Sequence, residues 1–386
     1  MTAMRIAYIC ADPGVPVFGT KGCSIHVQEI VRALSRLGHE VTLFARRRGG
    51  EAPADLADIH CVDLAKPDAA AGSARELQLV QLDADIVPLL ETHGPFDMLY
   101  ERYALWSSAA VKWAQRNGVP SVLEVNAPLV EEQATHRELV HRELADMLSS
   151  ETFHAANRIV AVSTGVARWL IREAVESAKI DVLANGVDAA RFAPEYHPQN
   201  GAPVIGFVGT LKPWHGLDIL VDAAAQLKAQ DLPFRLLLVG DGPERAAVEH
   251  ALADRGLTDR TELTGAVAPA EIPALIARMD VAVAPYPDLA DFYFSPLKVM
   301  EYMAAGRAVV ASRIGDIDGL IRHGETGLLC AAGDRDALAQ ALGELIRSPH
   351  SRSRLGWAAR HHALNELGWD SVARRILERS GESVAC

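Results

Sequence analysis

The chain has 386 residues, 49% hydrophobic and 23% charged, with a formal net charge of −12. That length exceeds what one hydrophobic core usually organises, so two domains are expected, and the composition is globular rather than disordered. The acidic balance excludes a broad nucleic-acid-binding surface, which needs positive charge to displace counterions, while leaving room for a local phosphate site.

No apolar run approaches the ~18 to 20 residues needed to span a bilayer. The opening "MTAMRIAYIC" runs straight into a strand pattern with no basic segment ahead of a long apolar one, so no secretory signal is expected. Five cysteines with no CxxC are expected to be reduced thiols of a cytoplasmic protein, without structural zinc. Peripheral membrane contact stays open, although no basic amphipathic stretch supports it.

In chain order, "MRIAYIC" (4–10) predicts a strand, "ADPGVPVFGTKG" a glycine-bearing loop, and Val27, Ile30, Val31, Leu34 and Leu37 one apolar helical face. "EVTLFA" supplies the next strand, followed by a short solvated cluster, "RRR" (46–48). "RELQLVQLDADIVPLL" reads as one helix, with Asp83 and Asp85 on different faces. "FDMLYE", "VPSVLEVN" and "ANRIVAVS" read as further strands, and the longest helix is expected from about Glu131 to His154. "ARFAPEYHPQNGAPV" (190–204), with three prolines and a glycine, predicts a linker.

The pattern then restarts. "PVIGFVG" is a strand, "TLKPWHG" a loop, and Leu217, Leu220, Val221, Ala224 and Leu227 repeat the helical spacing of the first half. "FRLLLVG", "TELTG", "DVAVAPY", "RAVVAS" and "GLLC" follow as strands between helices. Near-continuous apolar strands are what parallel sheets covered on both faces require, so two doubly wound α/β domains are expected. Ligands in such sheets sit off the carboxyl ends of the strands, and with two domains the expected site is the cleft between them.

The most informative stretch is "SPLKVMEYMAAGRAVVAS" (295–312), where Lys298 and Glu301 interrupt an apolar segment. Ser295 suits an N-cap and Pro296 the first helical position, so a helix N-terminus with free N–H groups, an anion site, is expected here. Lys298 would add a cation, and Glu301, an acceptor-only carboxylate, suits the paired hydroxyls of a ribose. An exposed i, i+3 ion pair is the competing reading.

"GTLKPWHG" (209–216) is a second candidate, with Lys212 facing a phosphate and His215 as a further donor, against a purely structural turn held by Trp214. The matching loop of the first half, Gly19, Thr20, Lys21 and Gly22, is a weaker one, because a lone glycine pair is not GxGxxG. "VGDGP" (239–243) reads as a structural turn at the same sheet edge. "DAD" (83–85) and "DID" (316–318) have the spacing of paired metal ligands but read as helix-face and capping residues, so no metal is expected.

In order, "GHEVTLFA", "RIVAVSTGV", "VLANGVDAARFAP", "FVGTLKPWHGLD", "LLLVGDGPER", "SPLKVMEYMAAGRAVVAS" and "GETGLLCAAGD" resemble family 4 of the retaining glycosyltransferases, which have the GT-B fold. Any one piece is weak; the ordered set spans nearly the whole chain and is specific. The resemblance implies two Rossmann-like domains facing across a cleft, with the acceptor bound by residues 1–195 and a nucleotide-sugar donor by 196–365. A helical segment, 366–386, would cross back to the first domain. Glu301 would hold the ribose, the N–H groups of Leu297 and Lys298 the diphosphate (Pro296 has none), and Val267 the base.

Three positions depart from the family pattern. Tyr293 stands where a glutamate is common, with Asp291 nearby. Thr210 and His215 stand where an arginine and a lysine are common, leaving Lys212 as the evident cation of that loop. Asn126, with Glu124 close by, replaces a frequent histidine. The resemblance implies retaining transfer to a hydroxyl acceptor with no cofactor or metal, the leaving diphosphate stabilised by Lys212, Lys298 and helix N–H groups. A nucleotide-sugar epimerase or phosphorylase, and a non-catalytic nucleotide-sugar-binding module, remain alternatives. The donor nucleotide, the sugar and the acceptor are not specified.

Overall fold

The computed structural model describes residues 3–192, 201–290, 292–293 and 295–382. The chain forms two compact units, Met1–Asn185 with Trp369–Cys386, and Gly186–Gly368. The expected boundaries at 195/196 and 365/366 therefore move to 185/186 and 368/369. Val187, Ala189 and Phe192 are buried in the second unit's core, and the Val187 N–H donates to the Leu367 carbonyl at 2.8 Å. Residues 193–200 of the expected linker lie outside the described residues.

Unit 1 is built on strands β1 (Arg5–Cys10), β2 (Glu40–Ala45), β3 (His60–Asp63), β4 (Met98–Arg102), β5 (Ser121–Val125), β6 (Arg158–Ala161) and β7 (Ile180–Val182). They form one parallel sheet in the order β3-β2-β1-β4-β5-β6-β7. Unit 2 has β8 (Val204–Val208), β9 (Arg235–Val239), β10 (Thr261–Leu263), β11 (Val281–Ala284), β12 (Ala308–Arg313) and β13 (Leu328–Ala331). Their order is β10-β9-β8-β11-β12-β13, again parallel. Each sheet is the doubly wound type expected, with its order reversing beside its first strand.

The apolar spacing works as predicted in both opening helices. Val27, Ile30, Val31 and Leu34 are the buried face of helix Gly22–Arg36, and Leu217, Leu220, Val221, Ala224 and Leu227 that of helix Leu217–Ala229. In unit 1 the first of these helices shares its core with Trp369, Val372, Ala373, Ile376 and Leu377 from the last helix.

Buried polar groups change three local expectations. Helix Gly72–Asp83 ends at Asp83, whose carboxylate accepts the N–H groups of Ser108 (2.9 Å) and Ala109 (2.8 Å), capping helix Ala109–Asn117. The expected long helix is two, Leu129–His136 and Arg142–Ala155. Between them Glu76 accepts the N–H groups of Val140 (2.9 Å) and His141 (2.8 Å) and so meets the positive end of the second helix. Arg46, read as solvated, is buried, and its guanidinium donates to the Ala11 carbonyl at 2.8 Å and to that of Ala65.

Candidate functional site

In unit 2 the loops leaving β8, β9 and β11 meet at the carboxyl edge of the sheet. The Gly209 N–H donates to the Val239 carbonyl and the Leu211 N–H to that of Asp241, both at 2.9 Å. Two glycines make this closeness possible. Gly240 has φ +134°, and a Cβ there would lie 2.1 Å from the Gly209 carbonyl oxygen. At Gly216 (φ +63°) a Cβ would lie 1.8 Å from the Pro285 carbonyl oxygen. The loop bearing Thr210, Lys212 and His215 is thus pressed against β9 on one side and the end of β11 on the other.

Lys298 and Glu301 come from helix Leu297–Ala304, which Tyr302 ties to β8 by accepting the Val208 N–H at 2.7 Å. The expected cap differs: the helix begins at Leu297 with Pro296 before it, and the Leu297 N–H turns back to the Ser295 carbonyl at 2.9 Å. Leu297 therefore does not offer that N–H outward. Ser295 caps nothing, and its hydroxyl is buried without a hydrogen-bond partner.

The Lys298 stem keeps some accessible surface, but Nζ is occluded and has no hydrogen-bond partner among the described residues. It sits 4.2 Å from the Phe207 ring centroid and 5.4 Å from that of Tyr286. A Cβ built on Gly209 would fall 2.9 Å from this nitrogen, so the lysine reaches the β8 loop. Burial lowers its pKa to about 7, against the opposing pull of Glu301. Burial likewise raises Glu301 to about 7, opposed by Arg191 and Lys298.

His215 is pushed down to about 4 by burial and by Lys298 and Lys212. Its Nδ1 contacts the Thr210 carbonyl at 2.5 Å, and because a carbonyl only accepts, the proton of the neutral ring is on Nδ1. Nε2 is left as an acceptor, whereas a donor was expected at this residue. Lys212 Nζ lies 5.5 Å from the Trp214 ring centroid.

Gly209, Thr210, His215, Ser295, Pro296 and Lys298 are thus gathered around one sheet edge, with Glu301 one turn further in. Val267 packs on the same core in the loop after β10, which a Gly240–Gly265 bridge holds to the loop after β9. Tyr293 is half-buried, and Asp291 lies outside the described residues.

In unit 1 the buried carboxylate of Glu124, at the end of β5, is a hub. It accepts from His26 Nε2 (2.9 Å), Arg102 Nη1 (3.1 Å), the Tyr100 hydroxyl and the Asn126 amide. Burial alone would raise its pKa, but His26, Arg102 and these hydrogen bonds outweigh it and hold the group down at about 2. His26, Tyr100 and Arg102 were not anticipated. The available signals were the position of His26 one turn into the helix after the glycine loop and of Arg102 at a strand's carboxyl end.

Thr20, Lys21 and Gly22 are exposed at the start of helix Gly22–Arg36, and Gln28 holds the loop by donating to the Val17 and Gly19 carbonyls, each at 2.9 Å. No described contact joins residues 19–22 to Glu124 or Asn126; His26, on the same helix, makes that link. Among the described residues, no three His, Cys, Asp or Glu side chains are placed to share a metal ion, and no helix is long and apolar enough to cross a membrane.

Comparison with known proteins gives these features a family. Residues 20–191 match the model of Glycosyltransferase Family 4, and residues 202–348 that of Glycosyl transferases group 1. A D-inositol 3-phosphate glycosyltransferase of Salinispora tropica is 27% identical, over 94% of this chain and 81% of its own. Among solved structures, a sucrose-phosphate synthase from Thermosynechococcus elongatus superposes with a TM-score of 0.71 at 21% identity, covering 99% of both chains. Anabaena Alr3699/HepE, solved with UDP and glucose, gives 0.69 at 22% identity, covering 98% of this chain and all of its own. These structures share the GT-B fold. Matched by two glycosyltransferase models that together span residues 20–191 and 202–348, the chain is a glycosyltransferase of the family 4, group 1 type.

Proposed function

We propose that the enzyme transfers a sugar from a nucleoside-diphosphate sugar, held by unit 2, to an acceptor hydroxyl, held by unit 1, with retention and without a metal. The observation that carries this reading is the buried ammonium of Lys298, which, like the Ser295 hydroxyl at the start of the same helix, has no hydrogen-bond partner among the described residues. A buried cation without an acceptor is costly, and a diphosphate entering at this sheet edge supplies the missing charge. The bound UDP of the similarly folded Alr3699/HepE is consistent with such a donor.

In this reading Glu301 accepts from the ribose hydroxyls and Val267 borders the base. Tyr293, Asp291 and His215 meet the donor sugar, with His215 Nε2 accepting a hydrogen bond from one of its hydroxyls. The bond from the anomeric carbon to the diphosphate oxygen breaks, its electron pair going to that oxygen. Lys298 and Lys212 stabilise the charge formed, an effect typically worth about 3 to 4 kcal/mol per donor group. The acceptor oxygen attacks from the departing face and passes its proton to the phosphate. Glu124 and Asn126 shape the acceptor side in unit 1, and the reaction is placed in the cytoplasm.

The test is turnover of UDP-, GDP- and ADP-sugars in excess EDTA, with NMR of the anomeric proton in donor and product. Retention with full activity in EDTA is expected. Inversion, loss of activity restored by a divalent ion, or a Glu301→Ala variant with unchanged donor affinity and turnover would each defeat part of the assignment.

A further inference from the structure

Helix Pro349–Glu366 buries Leu355, Gly356, Ala359 and Ala363 against unit 2 and turns Trp357 outward, where the residue is 77% exposed. A single exposed apolar residue needs no explanation by itself, so the weight falls on what surrounds Trp357. Trp357 also lines an open groove of ≈ 550 Å³, together with Arg322, Arg354, His361, Asn365 and Glu366 among others. That volume falls within the roughly 300 to 1,000 Å³ of small-ligand sites.

The polar walls are oriented. Arg354 donates to the Gly324 carbonyl at 2.9 Å, Asn365 Nδ2 lies 3.2 Å from the His361 ring, and Arg322 is 3.8 Å from Glu366. His362, also lining the groove, has Nδ1 buried and 3.4 Å from Glu366 Oε1, yet makes no hydrogen bond.

Location separates this groove from the donor site. The loop of Arg322 and Thr326 leads into β13, and a Cβ on Gly356 would lie 2.2 Å from the carbonyl of Gly306, which leads into β12. Both are amino edges of strands, whereas Gly209, His215 and Lys298 gather at the carboxyl edge.

Charge chooses the occupant. Arg322 and Arg354 are balanced by Glu325 and Glu366, so with neutral histidines the lining carries no net charge. A phosphate or an anionic bilayer needs a positive excess. An indole face ringed by guanidinium, amide, imidazole and carboxylate suits a neutral ring with an apolar C–H face and a rim of hydroxyls. We propose that this groove binds carbohydrate, holding part of an oligosaccharide on unit 2 away from the reacting sugar. The proposal rests on family membership and not on the donor chemistry above.

The test titrates the full chain by calorimetry with short oligosaccharides of glucose, galactose, mannose and N-acetylglucosamine, with acrylamide quenching of Trp357 as a second readout. At least one is expected to bind saturably and shield Trp357, with affinity about tenfold weaker in Trp357→Ala and partly kept in Trp357→Tyr. A Glu301→Ala variant should bind these oligosaccharides normally, so failure of the donor reading and failure of this one are told apart. No saturable binding, binding indifferent to Trp357→Ala, or shielding of Trp357 by self-association or by phosphatidylglycerol vesicles instead would each overturn it.

Discussion

The ammonium of Lys298 lies 4.2 Å from the centroid of the Phe207 ring, with no hydrogen-bond acceptor among the described residues to complete it. A desolvated cation–π contact contributes about 2 kcal/mol, less than the several kcal/mol that burying an ammonium costs. Below about pH 7, where Lys298 is protonated, the free protein therefore carries this charge at a net loss of stability. Lys298→Met keeps the stem and removes the charge, so the unliganded unfolding midpoint should hold or rise. On the same preparation kcat/KM for the nucleotide sugar should fall about 10²- to 10³-fold. Thermal unfolding and initial rates check both; stability and activity falling together would place Lys298 in the scaffold instead.

Proton linkage should distinguish the two charged groups of that helix. Lys298 is lowered to about 7 by burial, so above that pH an arriving anion restores its proton and binding takes one up. Glu301, raised to about 7, should give up a proton when hydroxyls hydrogen-bond its carboxylate. Near pH 7, where each group is about half-protonated, inorganic pyrophosphate, which lacks a ribose, is expected to show net proton uptake by the protein, and UDP a smaller uptake. Calorimetry in buffers of different ionisation enthalpy measures both, and equal uptake for the two ligands would remove Glu301 from the ribose.

A third prediction concerns Glu101, buried in β4, where Oε1 accepts from the Ser107 hydroxyl at 2.7 Å. Burial raises its pKa to about 8 from an ordinary 4.5, so between these values the folded state binds more protons than the unfolded one. Its contribution is complete below the lower value and is lost as pH rises through the upper. Asp83, also raised by burial, slopes the same way. Glu101→Gln should raise the unfolding midpoint at about pH 8, by about 2 to 4 °C per kcal/mol recovered, with the gain shrinking towards pH 5. Calorimetric scans across that range are the check.

Gly240 and Gly118 separate backbone strain from collision. Both have positive φ, but a Cβ at Gly118 (φ +66°) meets nothing within 4 Å, whereas at Gly240 it meets the Gly209 carbonyl at 2.1 Å. Gly118→Ala should cost only about 1 to 2 kcal/mol and leave donor kinetics alone. Gly240→Ala must displace the loop carrying Thr210 and His215, and a shift near 1 Å can cost up to about 10²-fold in kcat/KM. Steady-state kinetics of the two variants decide it.

The two doubly wound sheets were legible because burial writes itself into periodicity: apolar strands and the repeated face of Leu217, Leu220, Val221, Ala224 and Leu227 follow from which side meets the core. Arg46, Glu76 and Asp83 were not, because their partners are backbone groups far along the chain; Glu76 and Val140 are 64 residues apart. A carbonyl or N–H leaves no mark on side-chain pattern. Ser295 misled for a related reason, since Ser-Pro ahead of an apolar helix reads as a cap wherever the following N–H turns. For Lys298 the spacing to Glu301 was readable, but its lack of an acceptor depends on Phe207 and Tyr286, which no local pattern supplies.

Unit 1 comprises the residues up to Asn185 and from Trp369 onward, and its core joins Val27, Ile30 and Leu34 to Val372, Ile376 and Leu377. During synthesis the apolar face of helix Gly22–Arg36 therefore waits for roughly 330 further residues to be made, on the order of tens of seconds at ordinary translation rates. Unit 2 can close while the ribosome is still working, but unit 1 finishes last although it is begun first. A nascent chain stalled near Gly368 would hold one finished unit and one with an open apolar groove, the state in which a chaperone has most to do.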